Sequence, residues 1–202
     1  MTRVKVCGIC DAEAARAAAG AGAQLLGFHF CSSRRRITPE EAREIVAELG
    51  SPRPRLVGVF IDQPEEEVER VAELVGLDLV QLHGSEPPGF RSSRPVMKAL
   101  KVRDGNLPET DEWPDPILLD SWSPDQRGGT GRSWDWEKAR SLVARRRIFF
   151  AGGLDAENVG DVVRRYRPYG VDVSSGVERA VRVKDPVLVA TFVQAVREAD
   201  EG

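Results

Sequence analysis

The sequence predicts an α/β protein of the (β/α)8 TIM-barrel class, a parallel eight-stranded barrel with outer helices, and three observations carry that prediction. Eight apolar, β-branched runs recur along the chain. Polar, often helix-patterned stretches separate most of them. Two runs end on reactive side chains, Cys7 followed by Gly8 and Asp120 after Ile117-Leu118-Leu119. Strand ends are where barrel enzymes place their acids and bases.

The runs cover residues 4–7, 25–30, 56–61, 79–82, 96–100, 117–119, 148–151 and 170–173. Their continuous apolarity suits parallel strands covered by helices outside and packed side chains inside. Helix starts follow several of them. Thr38-Pro39-Glu40-Glu41 offers a capping threonine, a first-turn proline and a capping-box glutamate, and predicts a helix to about residue 49. Asp155 and Asp185 are capping residues before periodic runs that reach Val163 and Val196. The fifth unit is the weakest, since the segment from Asp104 to Pro108 interrupts any helix there. An open doubly wound sheet is the alternative architecture.

A chain of 202 residues with 41% hydrophobic residues can bury a sizeable core, and no linker breaks its composition, so one domain over residues 1–202 is expected. The net charge of -3 gives no basic field to gather nucleic acid or an anionic membrane, which leaves a small molecule as the expected partner. No run reaches the length of a membrane span, and residues 1–10 carry charge and cysteine in place of a signal-peptide core, so a cytoplasmic location is expected. Cys7, Cys10 and Cys31 are an odd count, expected as reduced thiols.

Cys7 at a strand end reads either as a small buried side chain or as a general base, because a thiol ionises at about 8.5 and a modest electropositive setting makes it usable. Cys7 and Cys10 also have the spacing of a zinc half-site, with only His29, His83 and Cys31 to complete it. Asp120 is either a general acid raised by partial burial or a loop brace.

Gly128-Gly129-Thr130-Gly131, Gly152-Gly153 and Ser174-Ser175-Gly176 fall after expected strands, the last two after strands seven and eight, where this fold binds phosphate. Asp172 adds a carboxylate at the end of strand eight, beside the last of these loops, or braces the barrel rim. Within Arg34-Arg35-Arg36 a guanidinium could clamp a carboxylate or phosphate, whereas Arg145-Arg146-Arg147 reads as a solvated helix end. His83 ends the fourth strand and is a binding candidate; the direction of His29, between Phe28 and Phe30, stays undecided. Trp122, Trp134 and Trp136 are lid or packing residues.

In order and spacing, Lys5-Val6-Cys7-Gly8-Ile9, Ser33-Arg34-Arg35-Arg36-Ile37-Thr38-Pro39, Gly58-Val59-Phe60, Gln81-Leu82-His83-Gly84, Leu118-Leu119-Asp120, the Gly128–Gly131 cluster, Ala151-Gly152-Gly153-Leu154 and the run from Asp172 to Glu178 resemble the phosphoribosylanthranilate isomerase family of tryptophan biosynthesis, nearly end to end. The resemblance implies a cofactor-free Amadori rearrangement of N-(5-phosphoribosyl)anthranilate by a monomer or homodimer. It gives Asp120 as general acid and Cys7 as general base. It places Arg35 near the anthranilate carboxylate and Asp172 near its nitrogen, and makes the loops with Gly152, Gly153, Ser174, Ser175 and Gly176 the phosphate cradle; Gly129 is a further substrate-binding candidate. Cys10 stands where the family usually has threonine. Another phosphosugar isomerase or epimerase, or a non-catalytic phosphate- or zinc-binding barrel, are the competing readings.

Overall fold

In a computed structural model of the chain, which describes residues 1–103, 106–121 and 135–202, the eight apolar runs become eight parallel strands that close on themselves. They are β1 (Arg3–Cys7), β2 (Leu25–His29), β3 (Arg55–Phe60), β4 (Leu79–Leu82), β5 (Val96–Val102), β6 (Ile117–Ser121), β7 (Ile148–Phe150) and β8 (Gly170–Val173). Neighbours pair in sequence order, and β1 pairs with β8 to complete the barrel. The open-sheet alternative is excluded by that seam, where Lys5 lies opposite Asp172.

The helices are α1 (Ala12–Ala21), α2 (Pro39–Ala47), α3 (Glu65–Val75), α4 (Arg140–Val143, after a 3-10 turn at Trp136–Ala139), α5 (Val159–Tyr166) and α6 (Pro186–Glu201). Thr38 caps α2 with the reciprocal capping box its sequence predicts, and Asp185 accepts from the amides of Val187 and Leu188 to start α6. Asp155 caps a turn instead of a helix. Its carboxylate accepts from the amides of Glu157 and Asn158, and α5 begins only at Val159. No helix lies between β4 and β5, and none among the described residues between β5 and β6.

Two apolar layers result. Val4, Val6, Leu26, Phe28, Val80, Leu82, Ile117, Leu119, Ile148, Phe150, Val171 and Val173 face the helices, where they pack with α1, α3, α5 and α6. The residues between them face the barrel interior, whose floor is filled by Leu25, Val57, Leu79, Met97, Ala99, Leu118 and Phe149. Because a strand turns alternate side chains to opposite faces, this floor dictates what points inward one step nearer the strand ends.

Arg146 corrects the reading of its cluster as a solvated face. Its guanidinium bonds the Asp115 carboxylate and the carbonyls of Thr110 and Trp113, fastening the segment before β6 to the start of β7. Trp136 stacks on Phe150 with ring centroids 6.5 Å apart, so it packs the outer layer. Trp122, Trp134 and the Gly128-Gly129-Thr130-Gly131 cluster lie outside the described residues. Among the described residues no helix is long and apolar enough to cross a membrane.

Candidate active site

The inward side chains just above the floor converge on one cavity of about 540 Å³ at the carboxyl ends of the strands, lined by Cys7, His29, Gln81, His83, Asp120 and Asp172 among others. Cys7 and Lys5 point there because Val4 and Val6 are committed to the helices; Asp120 follows the same parity from Leu118. The same rule resolves His29. Leu26, Phe28 and Phe30 occupy the helical layer, which leaves the imidazole facing inward.

Lys5 is fully buried and donates to the Asp172 carboxylate at 2.8 Å across the β1–β8 seam. Burial alone would lower the ammonium, but Asp172 and Cys7 outweigh it and hold Lys5 charged. Burial pushes the Cys7 thiol up, with Lys5 opposing. Cys7 Sγ also lies 3.2 Å from His29 Nε2, and His29 Nδ1 lies 2.8 Å from Ser33 Oγ. Burial first, then the Lys5 charge, keeps the His29 imidazole well below its usual range and therefore neutral.

Across the cavity His83 Nε2 sits 3.4 Å from an Asp120 carboxylate oxygen. The Gln81 amide nitrogen approaches His83 Nδ1 at 3.3 Å, while its buried Oε1 has no partner among the described residues. That leaves an acceptor beside the cavity for a ligand donor.

Gly152, Gly153, Ser174 and Ser175 line the far wall, after β7 and β8. Gly152 has φ +89°, and a Cβ there would meet Ser121 Oγ at 2.3 Å, so only glycine lets this loop turn over the end of β6. Gly176 is not a lining residue. A Cβ on it would fall 2.0 Å from the Leu154 carbonyl oxygen, and its bareness lets the two loops touch. Gly129 lies outside the described residues.

Arg35 also lines the cavity, but its fork is engaged. Nε and Nη2 donate to the two oxygens of Glu178 at 2.7 and 2.6 Å, and Lys184 Nζ donates to the same carboxylate at 2.9 Å. Glu178 opens a hairpin of β9 (Glu178–Ala180) and β10 (Val183–Lys184) that follows β8. Burial would raise Glu178, yet the Arg35 and Lys184 partners hold it below the ordinary carboxylate range.

The structure thus gathers Cys7, Asp120, His83, Asp172, Arg35, Gly152, Gly153, Ser174 and Ser175 around one cavity. Sequence reasoning missed Lys5, His29, Ser33 and Gln81. Parity counted from neighbouring strands could have found His29 and Gln81; the partner of Lys5 is 167 residues away and left no local signal. Cys10 turns its thiol to the carbonyls of Gly8 and Arg35. Among the described residues no group of His, Cys, Asp and Glu is arranged to hold a metal ion, so the zinc reading finds no ligand set.

A closed parallel barrel with a strand-end thiol and carboxylate sharing one mouth cavity defines the class: a (β/α)8 barrel of the enzyme type. The model of the N-(5'-phosphoribosyl)anthranilate (PRA) isomerase family matches residues 4–195. The chain is 48% identical to N-(5'-phosphoribosyl)anthranilate isomerase of Rubrobacter xylanophilus, over 98% of this chain and 100% of that one. It is 45% identical to the Pelobacter propionicus protein of the same name, over 98% and 97%. The crystal structure of phosphoribosyl anthranilate isomerase from Thermus thermophilus superposes with a TM-score of 0.88 at 40% identity, covering 98% of this chain and 99% of that one. An isomerase solved in complex with reduced 1-(o-carboxyphenylamino)-1-deoxyribulose 5-phosphate superposes with a TM-score of 0.83 at 34% identity, covering 98% and 100%. The chain belongs to the N-(5'-phosphoribosyl)anthranilate isomerase family.

Proposed function

We propose that residues 1–202 act as one catalytic unit that converts N-(5'-phosphoribosyl)anthranilate into 1-(o-carboxyphenylamino)-1-deoxyribulose 5-phosphate without a cofactor, as a step of tryptophan biosynthesis. The observation that carries this reading is the common cavity of Cys7 and Asp120, closed on its far side by Gly152, Gly153, Ser174 and Ser175. A relative's complex with a reduced form of this product supports the choice of ligand.

Asp120, protonated, gives its proton to the furanose ring oxygen; the ring C–O bond breaks and a protonated Schiff base forms. The Cys7 thiolate removes the C2 proton, and the electron pair moves into an enolamine. Loss of the enol proton to Asp120 and transfer of the Cys7 thiol proton to C1 then yield the ketone and restore both acid and base. Lys5 stabilises the thiolate by charge, His83 orients Asp120, and Asp172 faces the anthranilate nitrogen while held by Lys5. The Arg35 guanidinium, locked by Glu178, presents its remaining edge to the anthranilate carboxylate. The glycine and serine loops receive the phosphate through backbone amides and hydroxyls.

The test is loss of anthranilate-type fluorescence when the purified protein meets this substrate with no metal or nucleotide added. Turnover supports the reading. No turnover of it, with turnover of a different phosphorylated aminoaldose, would favour another phosphosugar isomerase.

A further inference from the structure

Cys7 and His29 end adjacent strands, with Cys7 opposite Gly27 in the β1–β2 register, and the missing side chain at Gly27 opens the space between them. A Cβ at Gly27 would lie 2.7 Å from Cys7 Sγ. Across that gap His29 Nε2 reaches the sulfur at 3.2 Å, within the distance of a sulfur hydrogen bond. The other ring nitrogen is held as well: Nδ1 meets Ser33 Oγ at 2.8 Å, and the same oxygen accepts from the Arg35 amide at 3.1 Å. Ser33 is fixed in turn, since its carbonyl accepts from the Arg36 amide. A hydroxyl oxygen has two acceptor sites, so Ser33 can take both the Arg35 N–H and an Nδ1–H. That tautomer leaves a lone pair on Nε2 aimed at the thiol.

We propose that His29 is the positioning and proton-accepting partner of Cys7, taking the thiol proton onto Nε2 so that the thiolate is available to remove the substrate C2 proton. The inference rests on Cys7 being the general base. In the step the S–H bond breaks, an Nε2–H bond forms, and the imidazolium keeps its Nδ1–H on Ser33. After the C2 proton has passed through Cys7 to C1, the His29 proton returns to sulfur.

The free site keeps the pair neutral. Burial raises the thiol and, with Lys5, depresses the imidazole. The other charged or titratable groups bearing on the pair are Asp172 from β8, Lys184 from β10, His83 after β4, and Arg35 and Cys31 after β2, with Glu178 of β9 paired to both Arg35 and Lys184. Asp172 and Glu178 offset these cations, and transfer from sulfur to Nε2 moves a proton within the pair without changing its net charge. The thiolate is the minor, proton-transferred form of the pair, reached in the free protein as well as with substrate bound.

The experiment compares wild type with His29→Gln, whose amide nitrogen can occupy the Nε2 position but cannot ionise. Two readouts are taken: the pH profile of kcat, and the rate at which iodoacetamide alkylates Cys7, read by peptide mass with Cys10 as internal reference. The expected result is a fall in kcat of roughly 10- to 100-fold near pH 7, within the range of general acid-base catalysis. KM should stay near the wild-type value, activity should recover as pH rises and hydroxide ionises the thiol, and Cys7 alkylation should slow relative to Cys10. His29→Asn is the second variant if His29→Gln does not fold by circular dichroism. A folded variant with the wild-type pH profile and alkylation ratio would overturn the inference. Cys7→Ala separates the two claims: full turnover in that variant removes the base itself, whereas its loss beside an unaltered His29→Gln profile removes only the partner.

Discussion

Lys5 and Asp172 lie opposite each other where the first strand meets the last, and their 2.8 Å ion pair is buried inside the barrel at the foot of the proposed active site. One interaction therefore closes the sheet, sets the charge beside Cys7 and holds the Asp172 carboxylate. Lys5→Met should leave Asp172 buried and unpaired, a loss of about 3–5 kcal/mol in stability. Urea unfolding checks the stability, and the folded fraction should turn over more slowly because Cys7 loses its nearest cation.

Glu178→Gln should act on binding more than on chemistry. Arg35 donates two charge-assisted bonds to Glu178, a type worth roughly 1.5–3 kcal/mol each, and its guanidinium swings away from the cavity when they weaken. The expected outcome in steady-state kinetics is a KM raised about tenfold or more, with kcat nearly unchanged. A kcat loss at constant KM would assign Arg35 to the chemical step instead.

Gly152→Ala should weaken the phosphate end. The added methyl meets Ser121 in a backbone conformation that alanine rarely adopts, so the loop after β7 must move. Substrate KM and the inhibition constant of inorganic phosphate should rise together, while Cys7 alkylation stays as in wild type.

Cys31 sets a pH limit on stability. Burial pushes its thiol up to about 11 from an unfolded value near 9.0, so the folded state holds the proton more tightly. The resulting stabilisation is fully present below pH 9, falls as pH rises from 9 to 11 and is gone above it, a change on the order of 3 kcal/mol. Denaturation midpoints across that range should flatten in Cys31→Ala.

The barrel was legible because its signal is local: each strand is mostly apolar, broken by single polar residues such as Lys5, Gln81, Lys98 and Asp172, and the capping box at Thr38 predicts α2 at its observed start. The start of α5 was not, since an aspartate caps a turn with the same bonds it uses on a helix, and Asp155 does the former. Arg146 reads as surface among three arginines, and only the fold brings Asp115 to it. The strand-end positions of Cys7 and Asp120 were legible, and both side chains line the cavity. His29 was not, because phenylalanines flank it on both sides and its direction is fixed by the packing of Leu26 and Phe28 against helices. The Arg35–Glu178 fork joins residues 143 positions apart and is a property of the closed barrel.

In the proposed reaction a thiol and a carboxyl on opposite sides of one cavity divide the proton transfers between them. Turnover of the phosphoribosylanthranilate substrate by folded Cys7→Ser and Asp120→Asn decides whether they do. Each should lose at least roughly 10²- to 10⁴-fold in kcat while retaining cooperative unfolding. Wild-type turnover in either folded variant would contradict the assignment.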